Sequence, residues 1–178
     1  MSLLRLLKLL LLGPKVTAPK KNFTEVKDVA FETVGTEVKT MVQCLYGGRA
    51  LRILTINAGS SNAEEQELAA LKNAYYDIDR FGLSFAASPR HADILFVTGP
   101  VTRSLEQALR MTYQATPQPC LVVAIGDGAC TGGIWKDSYA VVGPVDAVIP
   151  VHVRIPGDPP SPTAILRGLL QALHSARS

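Results

Sequence analysis

The sequence predicts a three-layer α/β domain with a mainly parallel sheet. Three compact apolar runs, rich in β-branched residues, indicate buried strands over 51–56, 92–97 and 120–125. Segments with the apolar periodicity of helices lie between these runs. Strands that alternate with helices favour a parallel sheet covered by helices on both faces. A chain of 178 residues is long enough for one such core and an extension.

The extension is expected over residues 1–48 and the α/β domain over residues 49–178. Residues 3–12 are almost all leucine and include Arg5 and Lys8. This stretch is too short to span a bilayer, which takes about 20 apolar residues. We expect an N-terminal amphipathic helix that docks on a membrane surface or on a membrane subunit. Burial against a soluble subunit and cleavage as a signal peptide are the alternatives.

A proline- and lysine-containing linker is predicted over 14–22. The docking segment that follows, over 23–46, mixes charged and apolar residues, and Gly47-Gly48 separates it from the domain. Four of its apolar residues fall on one face of a helix: Val38, Met41, Val42 and Leu45.

Within the domain, a helix is predicted to start near Asn62, because the acidic residues that follow favour a helix N-terminus. A short strand is predicted over 83–86. Further elements are expected downstream: a helix over 103–115, a short helix over 135–139, a strand over 147–151 and a closing helix over 162–176.

Composition excludes several classes of function. The net charge of +3 and the lack of a basic cluster among aromatics argue against nucleic-acid binding. Cys44, Cys120 and Cys130 form no CxxC pattern, which argues against a disulfide framework and a cysteine-ligated zinc. The glycine-rich loop at 126–133 lacks a P-loop lysine and the GxGxxG pattern, so nucleotide binding is not expected.

Three blocks carry a family resemblance: DRFGL through SPRHADILFVTGPVT at 79–102, GGIWKDSY through IPV at 132–151, and PGDPP at 156–160 with the helix after it. Together they closely resemble the small-subunit family shared by membrane-bound, energy-converting NiFe (group 4) hydrogenases, formate hydrogenlyase and the 20-kDa (B-type) subunit of respiratory complex I. The resemblance spans about 49–173 and implies a flavodoxin-like fold.

Members of that family hold one four-iron four-sulfur cluster through four cysteines on three loops, because soft thiolates match the iron–sulfur core. The matching positions in this chain hold other residues: Ser61, Glu64, Gly128 and Asp158. All four ligands are replaced. Cys130 lies two positions past an expected ligand, and its side chain is expected to point elsewhere. We therefore expect a degenerate iron–sulfur site with no cluster and no other metal.

Three interpretations of this vacated cluster pocket follow. The loops have drifted, and Glu64 and Asp158 face water or cap helices. Alternatively, the two acids form a structural polar cluster with Arg154, His152 or a cation of a partner subunit. In the third interpretation, Ser61, Glu64 and Asp158 form a proton-linked or ion-binding site.

The resemblance implies a non-redox structural or coupling subunit, with no catalytic residues and no catalytic activity expected of the chain by itself. It would link a large-subunit homologue to an integral membrane subunit of an ion-translocating arm, at the cytoplasmic face of the membrane. Arg90 and His91 are expected to face the large subunit or the quinone-side interface, as packed interface residues or as proton-linked partners. The alternative function is an electron-transfer subunit of a hydrogenase or quinone reductase, which uses an unusual cluster or clusters in partner chains.

Overall fold

The predicted fold class is confirmed. The computed structural model describes residues 28–177. Its helices are α1 (Val29–Tyr46), α2 (Ala63–Ala70), α3 (Glu106–Ala115), α4 (Asp127–Thr131) and α5 (Pro162–Arg177). Its strands are β1 (Leu51–Asn57), β2 (Leu83–Phe85), β3 (Ile94–Thr98), β4 (Val101–Thr102), β5 (Leu121–Ile125), β6 (Val141–Gly143) and β7 (Val153–Ile155). Five strands form a parallel sheet in the order β2-β1-β3-β5-β7, which is the flavodoxin-like order, and β4 pairs with β6 in a separate antiparallel ribbon.

Strand β3 lies at the centre of the sheet, and all five of its side chains are buried. Successive side chains of a strand point to opposite faces. Ile94 and Phe96 therefore join the apolar layer that includes α1 and α5, whereas Leu95 and Val97 join the layer that includes Leu109 of α3. The sheet lies between two apolar layers, as the sequence predicted.

Helix α1 belongs to the core of the domain. The side chain of Asp28 caps its first turn, because Oδ1 accepts hydrogen bonds from the amides of Ala30 and Phe31 at 3.0 and 3.2 Å. The helix ends at Gly47, whose φ of 61° is left-handed. The predicted apolar face is confirmed, since its members lie in or against the same core cluster as the sheet: Val38, Met41, Val42 and Leu45.

Two predicted elements are wrong. The segment 147–151 forms no strand: a 3-10 helix covers Val145–Ala147, and β7 starts only at Val153. Pro150 lies between them and has no N–H for a sheet ladder. The short helix predicted over 135–139 is instead a 3-10 helix at Gly133–Trp135 followed by turns. Helix α4 and the β4–β6 ribbon have no counterpart in the sequence prediction.

The predicted amphipathic helix over 3–12 and the linker over 14–22 lie outside the described residues. Within residues 28–177, no helix is both long enough and apolar enough to cross a membrane.

We predict that Gly35→Ala destabilises the protein. A Cβ at position 35 of α1 would overlap the ring of Phe81, which is 4% exposed and packs beside Phe31. Alanine gains about 1 kcal/mol of helix propensity over glycine, but overpacking a core costs about 1–3 kcal/mol. We expect a net loss in the free energy of unfolding, measured by urea denaturation of the purified chain.

The control is Thr36→Ala, at a neighbouring exposed position of the same helix. It should raise the free energy of unfolding slightly, by about 0.5 kcal/mol, through the higher helix propensity of alanine. A Gly35→Ala chain that is more stable than the unmodified one would show that the ring moves freely and that helix propensity dominates.

Candidate functional site

The loops that follow β1, β5 and β7 meet at the carboxyl edge of the sheet and surround a cavity of about 680 Å³. This is the edge where open α/β sheets place their binding sites. The residues around the cavity are Gly59, Ser60, Ser61, Glu64, Pro100, Asp127, Gly128, Thr131, Gly133, Ile134, Trp135, Lys136 and Asp158. The structure thus brings together all four residues of the predicted vacated pocket.

The loop after β1 is ordered by its own side chains. Asn57 Oδ1 accepts hydrogen bonds from the amides of Gly59 and Ser60 at 2.8 and 2.9 Å. The Ser60 hydroxyl accepts one from the Asn62 amide at 3.1 Å and donates one to the Glu65 carboxylate. Ser61, the predicted pocket residue, is exposed.

Glu65 joins this loop to the central strand, because its second carboxylate oxygen accepts a hydrogen bond from the hydroxyl of Thr98. The sequence placed Glu65 only in the first turn of a helix. Nothing in its spacing distinguished it from Glu64, since both follow the loop, and only the turn of α2 decides which carboxylate faces Thr98.

Glu64 is the most unusual residue of the site. It is 4% exposed, and its Oε2 is the buried side-chain oxygen that has no hydrogen-bond partner among residues 28–177. Burial raises the pKa of Glu64 above its ordinary value of 4.5, and repulsion from Glu65, Asp158 and Asp127 adds to the rise. A Cβ at Gly126 would lie 2.5 Å from Glu64 Oε1, so the glycine after β5 leaves the room that this carboxylate occupies.

Two reciprocal hydrogen bonds join the loops after β5 and β7. The Asp127 amide donates to the Gly157 carbonyl at 2.9 Å, and Asp127 Oδ1 accepts from the Gly157 amide at 2.8 Å. Asp158 follows at an exposed position with a cis peptide bond to Pro159.

Asp127 and the cavity residue Lys136 were not among the predicted site residues. The position of Asp127 next to Gly126 was a usable signal, whereas Lys136 offered none.

The other predicted partners lie away from the cavity. Arg154 pairs with Asp146 at 2.6 Å rather than with Glu64 or Asp158, because its side chain leaves β7 on the face opposite the buried Ile155. His152 precedes β7, at the amino end of the strand, and its Nδ1 accepts a hydrogen bond from the Val122 amide at 3.0 Å.

Arg90 and His91 lie at the amino edge of the sheet, just before β3. They line a second cavity of about 340 Å³ together with the ion pair of Arg49 and Asp93. Two hydrogen bonds at 3.0 and 2.7 Å connect that guanidinium to that carboxylate. The carboxyl and amino edges of a parallel sheet are separated by the length of its strands, so these residues do not reach the vacated pocket.

The residues around the main cavity do not fit a four-iron four-sulfur cluster. No thiol lines the cavity among the described residues. The Cys130 thiol points to the carbonyl of Ala124 at 3.7 Å, and burial raises its pKa to about 11, so the thiolate that a cluster needs is disfavoured. Position 128 also lacks room for a cysteine side chain, because a Cβ there would lie 2.7 Å from Pro100 Cδ. In residues 28–177, no group of three or more His, Cys, Asp or Glu residues is placed to hold a metal ion.

The chain is similar to subunits of a membrane-bound hydrogenase and of an NADH-quinone oxidoreductase. It is 42% identical over 131 residues to the probable membrane-bound hydrogenase subunit mbhJ of Pyrococcus furiosus, and the match covers 74% of this chain and 78% of that one. It is 46% identical over 105 residues to a subunit of the NADH-quinone oxidoreductase of Citrifermentans bemidjiense, and that match covers 59% of this chain and 61% of the other.

A solved structure of the membrane-bound sulfane sulfur reductase, an archaeal respiratory membrane complex, contains a chain with the same fold. The TM-score is 0.64 at 30% identity, and the match covers 76% of each chain. Residues 62–172 match the family described as the 20 Kd subunit of NADH ubiquinone oxidoreductase. The resemblance found in the sequence is thereby confirmed: the chain belongs to the family of the 20 Kd subunit of NADH ubiquinone oxidoreductase.

Proposed function

We propose that this chain is a non-redox subunit of a membrane-bound complex related to complex I and the group 4 hydrogenases. It links a large-subunit homologue to an integral membrane subunit of an ion-translocating arm. Neither a cluster nor catalysis by the chain alone is part of this proposal. The chemistry that drives the complex then belongs to its other subunits.

One observation carries the proposal: the family fold is intact around a cavity whose lining contains no thiol among the described residues. Loss of a four-iron cluster from a fold that depended on it would be expected to disorder the three loops. Here hydrogen bonds of Glu65 and Asp127 hold the loops instead. A retained scaffold without its electron carrier is what a subunit with a structural or coupling role requires.

Relatives support the assembly part of the proposal, because the names of two of them place them in a membrane-bound hydrogenase and in a respiratory membrane complex. By analogy we place this chain at the cytoplasmic face of the membrane, as a peripheral subunit. Residues 3–12, with their leucines and two cations, would add contact with the membrane surface.

We predict that this subunit binds no iron–sulfur cluster. After anaerobic treatment with iron and sulfide, the isolated chain should bind neither in stoichiometric amounts and should lack the broad visible absorbance of an iron–sulfur centre. The reason is the ligand set, since a serine, a glycine and two carboxylates replace four soft thiolates. Iron and acid-labile sulfide analysis with visible spectroscopy measures this.

A member of the family that retains all four cysteines, treated in the same way, is the positive control for the chemistry. Stoichiometric iron and sulfide in the unmodified chain would contradict the proposal. That result would support the alternative, an electron-transfer subunit of a hydrogenase or quinone reductase with an unusual cluster.

The buried acid of the emptied site leads to a prediction about stability. Because the folded state raises the pKa of Glu64, the folded chain retains a proton at pH values where the unfolded chain has lost it. The free energy of unfolding therefore falls as pH rises from the ordinary value of 4.5 towards the raised pKa. Glu64→Gln removes this penalty and should stabilise the isolated chain by about 1 kcal/mol at pH 8, with the gain vanishing below pH 4.5.

Urea denaturation of both chains at several pH values between about 4 and 8 measures the difference between their free energies of unfolding. Glu67→Gln, in the same helix but without the buried position of Glu64, is the matched control, and the difference between the two variants isolates the effect of burial. A Glu64→Gln chain that is less stable than the unmodified one at pH 8 would mean that the ionised carboxylate is held by a favourable contact.

A further inference from the structure

The charged groups around the main cavity are unbalanced. Among residues 28–177, three carboxylates line it, those of Glu64, Asp127 and Asp158, against the single ammonium group of Lys136. Among the ion pairs of residues 28–177, none joins Lys136 to any of these carboxylates. The cavity therefore presents excess negative charge to whatever covers it.

Glu64 shows that this charge lacks a partner. Its carboxylate is almost fully buried, lines the cavity, and leaves Oε2 without a hydrogen bond in the described part of the chain. Buried carboxylates are costly unless they are paired or protonated. The two nearby acids, Asp127 and Asp158, worsen the cost by repulsion. A cation placed among the three would remove this repulsion and favour the ionised form of Glu64.

The rim of the cavity is apolar and exposed. Ile134 is 84% exposed and Trp135 is 58% exposed, and both line the cavity. A large aliphatic and an aromatic side chain left in water beside a charged pocket are typical of a surface that a protein partner covers. Tryptophan is among the residues that dominate binding energy at such surfaces.

We propose that the cavity receives an arginine side chain from the partner subunit that covers the carboxyl edge of the sheet. This inference rests on the proposed function, which supplies the partner. A guanidinium group fits better than an ammonium group, because its five donors can serve several carboxylates at once and its plane can stack on the indole of Trp135. A volume of about 680 Å³ lies within the range of ligand pockets and leaves space for the backbone that carries the arginine.

Intrinsic fluorescence tests the inference directly, because Trp135 is the only tryptophan of the chain and lies on the cavity. The full chain is titrated at low ionic strength with N-acetyl-arginine methylamide. The citrulline analogue, which has nearly the same shape without the charge, is titrated in parallel. We expect a saturable change in Trp135 emission with the arginine compound and none with the citrulline compound.

The double variant Glu64→Gln with Asp158→Asn should weaken binding of the arginine compound by roughly tenfold. Glu37→Gln with Asp79→Asn removes the same charge at exposed positions that do not line the cavity and should bind like the unmodified chain. An equal response to both compounds, or no loss of affinity in the cavity variant, would overturn the inference. The comparison of the two compounds needs only the unmodified chain, so a variant that fails to fold does not weaken the test.

The titration does not depend on iron content. If the chain binds no iron and the arginine compound also fails to bind, this inference fails while the proposed non-redox role stands. If the chain does bind a cluster, the proposed function fails first, through the iron analysis.

Discussion

The complete burial of β3 is the constraint on which the rest of the structure depends. Its four apolar side chains must contact apolar layers on both faces of the sheet, so the sheet needs cover on both sides, and α1 and α5 supply it on one of them. Parallel strands covered on both faces place all of their carboxyl ends at one edge. The three loops around the cavity therefore meet as a consequence of the core, whether or not a cofactor joins them.

That geometry explains how the site keeps its shape. In this chain the carboxylate of Glu65 connects the loop after β1 to Thr98 of β3, and Asp127 connects the loops after β5 and β7. Each link uses a charged acceptor, and hydrogen bonds to charged groups are stronger than those between neutral ones. Glu64 is the exception, a buried acid whose second oxygen has no such donor in the described residues. This unpaired acid stands at a position where the resemblance implies a cluster ligand.

Pattern and resemblance predicted much of the fold and the composition of the site. Buried strands and the apolar face of α1 followed from apolar runs and periodicity, and one cavity contains the four residues that the resemblance placed at the cluster positions. The ion pair of Arg154 with Asp146 could not be predicted from the sequence. It depends on the face of β7 from which the Arg154 side chain projects, and Asp146 lies in a 3-10 helix that the sequence did not predict. The strand expected over 147–151 was also misplaced, since local apolar character alone does not show that pairing with β5 begins only after Pro150.

By itself the sequence determined the residue types in the three loops, and the resemblance implies that Ser61, Glu64, Gly128 and Asp158 stand at the cluster positions of the family. Tertiary structure alone decided which acids are buried, which are paired and which face solvent. Glu64 and Glu65 are adjacent and chemically alike, yet one bonds to Ser60 and Thr98 while the other is packed against Gly126. The difference arises because neighbouring residues of a helix point about 100° apart, and only the packing of α2 against the sheet sets what each one meets.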